Sequence, residues 1–461
     1  MSTEATDVLA VQQGERSSLR SDFSWTFVGN AVYAAGQFAI LMLLAKLLRP
    51  EHVGQYALAL AVVYPVVQLT NLQLRAVMTS DTRERTHFGH YFSLRLLTTL
   101  LALVVIFFIT QLLRYDRELT SAVLMVGAAY AVEAISDVYY ARLQLHDRMA
   151  EISKSMIARA LLSVLALAVA TYVSRSLLWG IAGIALARAI VLFGYDICER
   201  THGLGDEFKW VSGNEALAPR FDLRVQQGLL WLSLPLGIVV LLSCLNSSVP
   251  AYFIKHVLGE RDLGIFAAIG FATSVGNMAV VSLGQSAFTR LARLYAAGDL
   301  GTFGSLLGKL LVFGAALGAC GMILSKLAGR EILTILFRPE YAERAELLPW
   351  IMAVGGVVYM AQFVGFGLTA AGYYNSQVVL NILANLSLLA GCYWLVARQG
   401  QGLLGAILAM LIAAIVQLVA SVVTLVAAMR KHTRASAEGV ELSRRRFSLN
   451  PASQERKGEK W

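Results

Sequence analysis

Long apolar runs recur along this chain, each about the length a helix needs to cross a bilayer, and they limit its fold more than any other feature. They fall near residues 23–48, 54–74, 88–113, 120–143, 152–173 and 176–197, then 228–254, 263–287, 303–327, 347–370, 376–397 and 402–428. A helix crosses the hydrocarbon core with about 20 apolar residues. Inside lipid every backbone N–H and C=O must be satisfied within the chain, so continuous runs become helices, and barrel strands would show short alternating segments instead. With 57% of the 461 residues apolar and 15% charged, one soluble core could not hide this much surface. The expected fold class is an all-α polytopic membrane protein with about twelve transmembrane helices.

A polar linker, residues 199–227, separates the runs into six and six. The expected division is a polar N-terminal tail at 1–22, a first six-helix bundle at 23–198, the linker, a second bundle at 228–428, and a basic tail at 429–461 that reads as disordered. The tail's Arg444, Arg445 and Arg446 could also touch anionic lipid heads. An even number of crossings puts both ends on one side. In that register 23 of the 39 Lys and Arg lie on the side of the termini and 12 on the other, so both termini are expected in the cytoplasm. The first run is too long for a signal-peptide core, so no cleaved leader is expected.

Several chemistries lack their patterns. No P-loop or nucleotide-binding domain is legible, which argues against ATP-driven transport by this chain. The histidines show no HExxH spacing, and Cys198, Cys244, Cys320 and Cys392 show no CxxC, so they read as small buried side chains and no metal or disulfide is expected. No long outward loop could house a ligase or glycosyltransferase site. A membrane enzyme acting on lipid-linked sugars would need clustered catalytic acids or a histidine–arginine loop, and neither is found. A non-enzymatic secondary transporter or lipid flippase remains.

Charges within a span demand a reason. Glu133 and Asp137 lie one turn apart on the fourth helix. Depth counting sets Arg188 level with Glu133 near the midplane, and Arg95 and Arg159 near the depth of Asp137. Two readings stay open: an ion-pair network that locks helices together, or a site that handles a coupling proton or sodium ion or faces an anionic substrate. Asn30 and Gln37, with Tyr33 between them, form a polar stripe on the first helix, and Gln68, Asn71, Gln73 and Arg75 add polarity to the second. They would serve as interhelical glue or as a cavity lining. In the seventh helix Pro235 lies inside the span and Pro250 near its end, flanking Asn246, and a broken helix there could gate a path. Gly264, Gly270, Gly276 and Gly284 in the eighth permit close packing or bending, and Gln285 and Arg290 mark its cytoplasmic end.

Gly29-Asn30-Ala31-Val32-Tyr33-Ala34-Ala35-Gly36-Gln37, Val53-Gly54-Gln55-Tyr56-Ala57-Leu58 and Asn71-Leu72-Gln73-Leu74-Arg75 resemble segments of bacterial polysaccharide repeat-unit flippases. So do Ala141-Arg142-Leu143-Gln144, Leu263-Gly264-Ile265-Phe266-Ala267-Ala268 and Leu283-Gly284-Gln285, in an order along the chain that covers residues 22 to 428. These flippases belong to the multidrug/oligosaccharidyl-lipid/polysaccharide exporter superfamily. The resemblance implies two pseudo-symmetric six-helix bundles around a central cavity. It also implies movement of an undecaprenyl-diphosphate-linked oligosaccharide across the bacterial inner membrane, from the cytoplasmic to the periplasmic leaflet. Implied partners are the lipid-linked oligosaccharide, membrane lipids, and a polysaccharide polymerase with its chain-length regulator. No nucleic acid is expected. A cation-coupled drug antiporter of the same fold is the alternative. One departure matters: the family pattern often has a basic residue after the proline that ends the seventh helix, and here Ala251 follows Pro250, so an anionic lipid would need another cation.

Overall fold

The computed structural model describes residues 2–81, 86–197 and 219–448, with side chains described from 24 to 433 of these, Tyr374 apart. Most of the linker, with Cys198, Arg200 and Lys209, lies outside the described residues, as do Arg83, Arg85 and the tail beyond Ser448. The first half is built from α1 (Ser2–Leu47), α2 (Pro50–Asn71), α3 (Leu74–Ser80), α4 (Phe88–Leu112), α5 (Arg117–Leu145), α6 (Met149–Ser174) and α7 (Leu177–Val191). A π-helical turn, Leu192–Asp196, extends α7. The rest comprises α8 (Leu223–Val257), α9 (Glu260–Gly270), α10 (Ala272–Ala296), α11 (Leu300–Leu336), α12 (Pro339–Ala342), α13 (Leu348–Ala370), α14 (Tyr374–Gly391) with a π-helical end at Cys392–Arg398, and α15 (Gly402–Ser448). Among the described residues twelve spans are long and apolar enough to cross a membrane.

Local chemistry sets the turns. Pro50 opens α2, where its missing N–H costs nothing, and extended Arg49 precedes it. Leu97, Leu101, Phe108 and Leu112 on α4, and Leu161, Leu165 and Tyr172 on α6, are exposed, as lipid-facing flanks are. The tail does not become irregular at 429: α15 continues to Ser448, and α1 likewise begins at Ser2. An established helix propagates cheaply into good formers, and basic residues suit a helix C-terminus. Cys244 and Cys392 are buried, but Cys320 is exposed. Pro250 does not end the seventh span, because α8 runs past it to Val257.

The chain divides into two units. One holds residues 1–271, 330–345 and 392–406, and the other holds 272–329, 346–391 and 407–461. In the first, α2 and α9 approach so closely that a Cβ on Gly54 would meet the Glu260 carbonyl, and one on Gly264 the Pro50 carbonyl. Beside this contact Glu260 pairs with Lys255 and accepts from Gln55 Nε2 at 3.0 Å. Pro65 lies inside α2, where it cannot donate to the Ala61 carbonyl, and the Tyr252 hydroxyl of α8 donates to that oxygen instead, at 2.6 Å. In the second unit Phe303, Leu307, Phe363, Val364 and Leu368 form the buried core. There Gly276 and Gly284 make room for Tyr359 and Phe366. The eighth span thus packs closely at some glycines and interrupts its helix after Gly270.

Candidate functional site

The charged residues of the first unit meet around α5, which carries Glu133 and Asp137 a turn apart. Glu133 faces two guanidinium groups. Arg188 Nη1, from α7, stands 2.7 Å from Oε2, and Arg159 Nη1, from α6, stands 4.0 Å from Oε1. Tyr33 of α1 donates its hydroxyl to Oε1 at 2.5 Å. Arg159 also donates to Asp196 Oδ2 at 3.1 Å, and the Ser155 hydroxyl donates to Asp196 Oδ1 at 2.5 Å. The Tyr140 hydroxyl lies 2.6 Å from Ser155 Oγ, and the Arg188 guanidinium sits 4.6 Å from the centre of the Tyr130 ring.

Asp137 anchors a second cluster. Arg95 donates from Nη2 to Asp137 Oδ2 at 3.2 Å, and from Nη1 to the Asn71 side-chain and backbone oxygens at 2.6 and 3.1 Å. Arg75 Nη1 lies 3.6 Å from Asp137 Oδ1, while its Nε donates to Gln144 Oε1 at 2.8 Å. The backbone explains why Arg75 is present here. Leu72 and Gln73 take left-handed φ values of 52° and 50°, which interrupt the second span and restart it as α3. Left-handed backbone costs a residue with a Cβ about 1–2 kcal/mol. Arg95 offsets part of that cost by taking the carbonyl that the break exposes at Asn71. Tyr140 joins the clusters, with Arg159 and Arg75 at 5.2 and 5.7 Å from its ring centre.

Exposure sorts these groups. The side chains of Arg95, Arg159 and Arg188 are 0%, 3% and 2% exposed, and Asp196 is 1% exposed. Glu133, Asp137 and Arg75 retain 23%, 32% and 33%. Buried arginines therefore hold the carboxylates from behind, and Arg75 shares their accessible edge. Four guanidinium groups face three carboxylates, leaving one net positive charge. Burying ions seldom stabilises a fold once desolvation is counted, whereas removing one partner is costly. Such a network fixes geometry more than it adds stability.

The structure brings together Asn71, Arg75, Arg95, Glu133, Asp137, Arg159 and Arg188. Arg95 is wholly buried, so it supports the accessible edge and does not line it. Asn30 is exposed and donates to its own helix at Thr26 O, 2.9 Å away, and Gln37 is half-buried one turn beyond Tyr33. Asn246 is half-buried on α8, with Pro235 and Pro250 inside the same continuous helix. Gln285 and Arg290 are exposed on α10 of the second unit. Asp196, although inside the run 176–197, is not marked as a site residue by the sequence, and neither are Tyr130, Tyr140, Ser155 and Gln144. Tyrosines near paired charges at one depth were the available signal.

Residues 19–294, more than half of the chain, match a family model described as polysaccharide biosynthesis protein. A curated relative, the capsular polysaccharide biosynthesis protein CapF of Staphylococcus aureus, is 25% identical over 394 residues, which is 85% of this chain and 95% of the relative. Among solved structures, an inward-facing multidrug resistance MATE family transporter of the MOP superfamily aligns with a TM-score of 0.72 at 11% identity, covering 89% of this chain and 99% of that one. The Vibrio cholerae MATE transporter VcmN aligns at 0.58 with 14% identity, over 91% and 97% of the two chains. A MOP superfamily transporter from Pyrococcus furiosus aligns at 0.57 with 14% identity, over 90% and 95%. At these identities the structural likenesses speak for the fold.

Proposed function

This chain is a multi-pass membrane protein that belongs to the polysaccharide biosynthesis protein family, and from that premise we propose that it is a flippase for a lipid-linked oligosaccharide. Its substrate is an undecaprenyl-diphosphate-linked repeat unit, moved from the cytoplasmic to the periplasmic leaflet of the bacterial inner membrane for surface polysaccharide synthesis. Both termini face the cytoplasm, in keeping with the bias of basic residues.

The observation that carries this reading is the state of Arg75. Its guanidinium is one-third exposed beside a network whose four guanidinium groups outnumber its three carboxylates, and only part of its donor fork is engaged by Gln144 and Asp137. A guanidinium of this kind holds phosphate oxygens through paired hydrogen bonds. Ala251 is buried and uncharged, so in this reading the cation for the diphosphate is Arg75 and not the position after Pro250. The antiporter alternative needs a carboxylate open to an organic cation, whereas Glu133 and Asp137 each face two arginines.

Flipping needs no covalent chemistry. The diphosphate is taken up at Arg75, and Asp137 and Gln144 hold that guanidinium in place. Release follows when the ligand exchanges its guanidinium contacts for water. Depleting the protein should make lipid-linked repeat units accumulate on the cytoplasmic leaflet of spheroplasts. Normal surface polysaccharide with no such accumulation would refute the proposal.

A further inference from the structure

The network around Glu133 continues into a group of tyrosines that the diphosphate does not use. Tyr64 and Tyr130 pack edge to face, 6.1 Å between ring centres. Tyr130 lies one helical turn from Glu133 and carries the Arg188 guanidinium against its ring, 4.6 Å from the centre. Tyr33 completes the group through its 2.5 Å hydrogen bond to Glu133. Three helices, α1, α2 and α5, therefore bring three rings and one carboxylate to one place.

Their depth is informative. Tyr33, Tyr64 and Tyr130 each stand about midway along their spans, which run over Ser24–Leu47, Pro50–Ser80 and Arg117–Leu145. Tyrosines that face lipid gather at the two interfaces, where the hydroxyl reaches water. Tyr64 is 40% exposed, and Glu133 keeps 23% of its side chain exposed. A tyrosine this exposed and an ion-paired carboxylate side chain that is not fully covered would be costly at mid-depth against hydrocarbon. This face is therefore turned to a polar occupant, and its chemistry selects which one. A pyranose ring has a flat C–H face and a rim of hydroxyl donors. The tyrosine rings offer an apolar platform with polar tips. Glu133 Oε2 is buried against Arg188, and Oε1, which accepts from Tyr33, keeps further lone-pair capacity for a hydroxyl donor.

We infer that Tyr64, Tyr130, Tyr33 and Glu133 form a sugar subsite, in which a pyranose of the substrate stacks on Tyr64 and donates hydroxyl hydrogen bonds to Glu133. It rests on the flippase reading and adds to it. Along α5 the order Tyr130, Glu133, Asp137, Gln144 sets the sugar subsite at mid-depth and the Arg75 phosphate contact two to three turns further along that helix. Substrate selection then has two parts, one reading the diphosphate common to all such lipids and the other reading the glycan.

The test uses the full chain in nanodiscs with two probes, undecaprenyl diphosphate alone and the same lipid carrying one N-acetylhexosamine. The wild type should bind the sugar-bearing probe more tightly. Tyr64→Leu should weaken that probe by about tenfold and erase the preference between the two. Tyr64→Phe, which keeps the ring and the packing, should retain the preference. An unchanged preference in Tyr64→Leu, or an equal loss for both probes, would overturn the subsite and leave the flippase reading standing. Failure of the wild type to bind either probe would overturn both.

Discussion

Arg75 and Arg95 carry the same charge, share Asp137 and lie within one site, yet their exposure assigns them different work. Arg75→Ala should abolish measurable binding of undecaprenyl diphosphate while leaving the thermal unfolding midpoint nearly unchanged. Arg75→Lys should recover only part of the affinity, because an ammonium cannot reproduce the fork that spans Gln144 and a phosphate. Equal binding by wild type and Arg75→Ala would remove this residue from the site. Buried pairs should behave in the opposite way. Asp196→Ala leaves Arg159 inside the protein with Glu133 at 4.0 Å as its remaining carboxylate, and should cost about 3 kcal/mol in stability. Denaturant titration in detergent reads that loss, and a change below about 1 kcal/mol would show that the Arg159–Asp196 pair is not integral to the fold.

At the scale of elements, the fold depends on backbone features that side-chain patterns only partly reveal. The α2–α9 contact leaves no room for a Cβ, so Gly54→Ala and Gly264→Ala should each destabilise by about 1–3 kcal/mol, visible as a lowered unfolding midpoint. Tyr252→Phe removes the donor that serves the Ala61 carbonyl freed by Pro65. It should cost about 1–3 kcal/mol, and an undisturbed midpoint would mean that water replaces the hydroxyl. Much of this architecture was legible beforehand. The apolar runs located the twelve spans, and depth counting set Arg188 level with Glu133, the pair now seen at 2.7 Å. The break at Leu72–Gln73 was not legible, since neither glycine nor proline marks it and its stabilising contact comes from Arg95, 24 residues away. Asp196 escaped for a related reason: the π-helical turn Leu192–Asp196 takes up an extra residue that a regular helical count does not anticipate.

For the whole molecule, the family match supplies the polysaccharide context, the twelve spans supply the membrane, and the proposal of an anionic lipid substrate rests on Arg75 and on the arginine partners of Glu133 and Asp137. Both termini should be inaccessible to protease added to intact spheroplasts and become cleavable once the membrane is opened. Cleavage of either end in intact spheroplasts would invert the proposed orientation. Movement of a glycolipid between leaflets can be followed in a reconstituted system. Proteoliposomes holding the purified chain and a fluorescent undecaprenyl-diphosphate oligosaccharide would be treated with a membrane-impermeant reagent that oxidises outward-facing sugars. With wild-type protein the protected inner pool should become accessible over time, and with Arg75→Ala it should stay protected, as in protein-free vesicles. A protected pool that persists with wild-type protein under every imposed ion gradient would show that the chain does not flip this lipid.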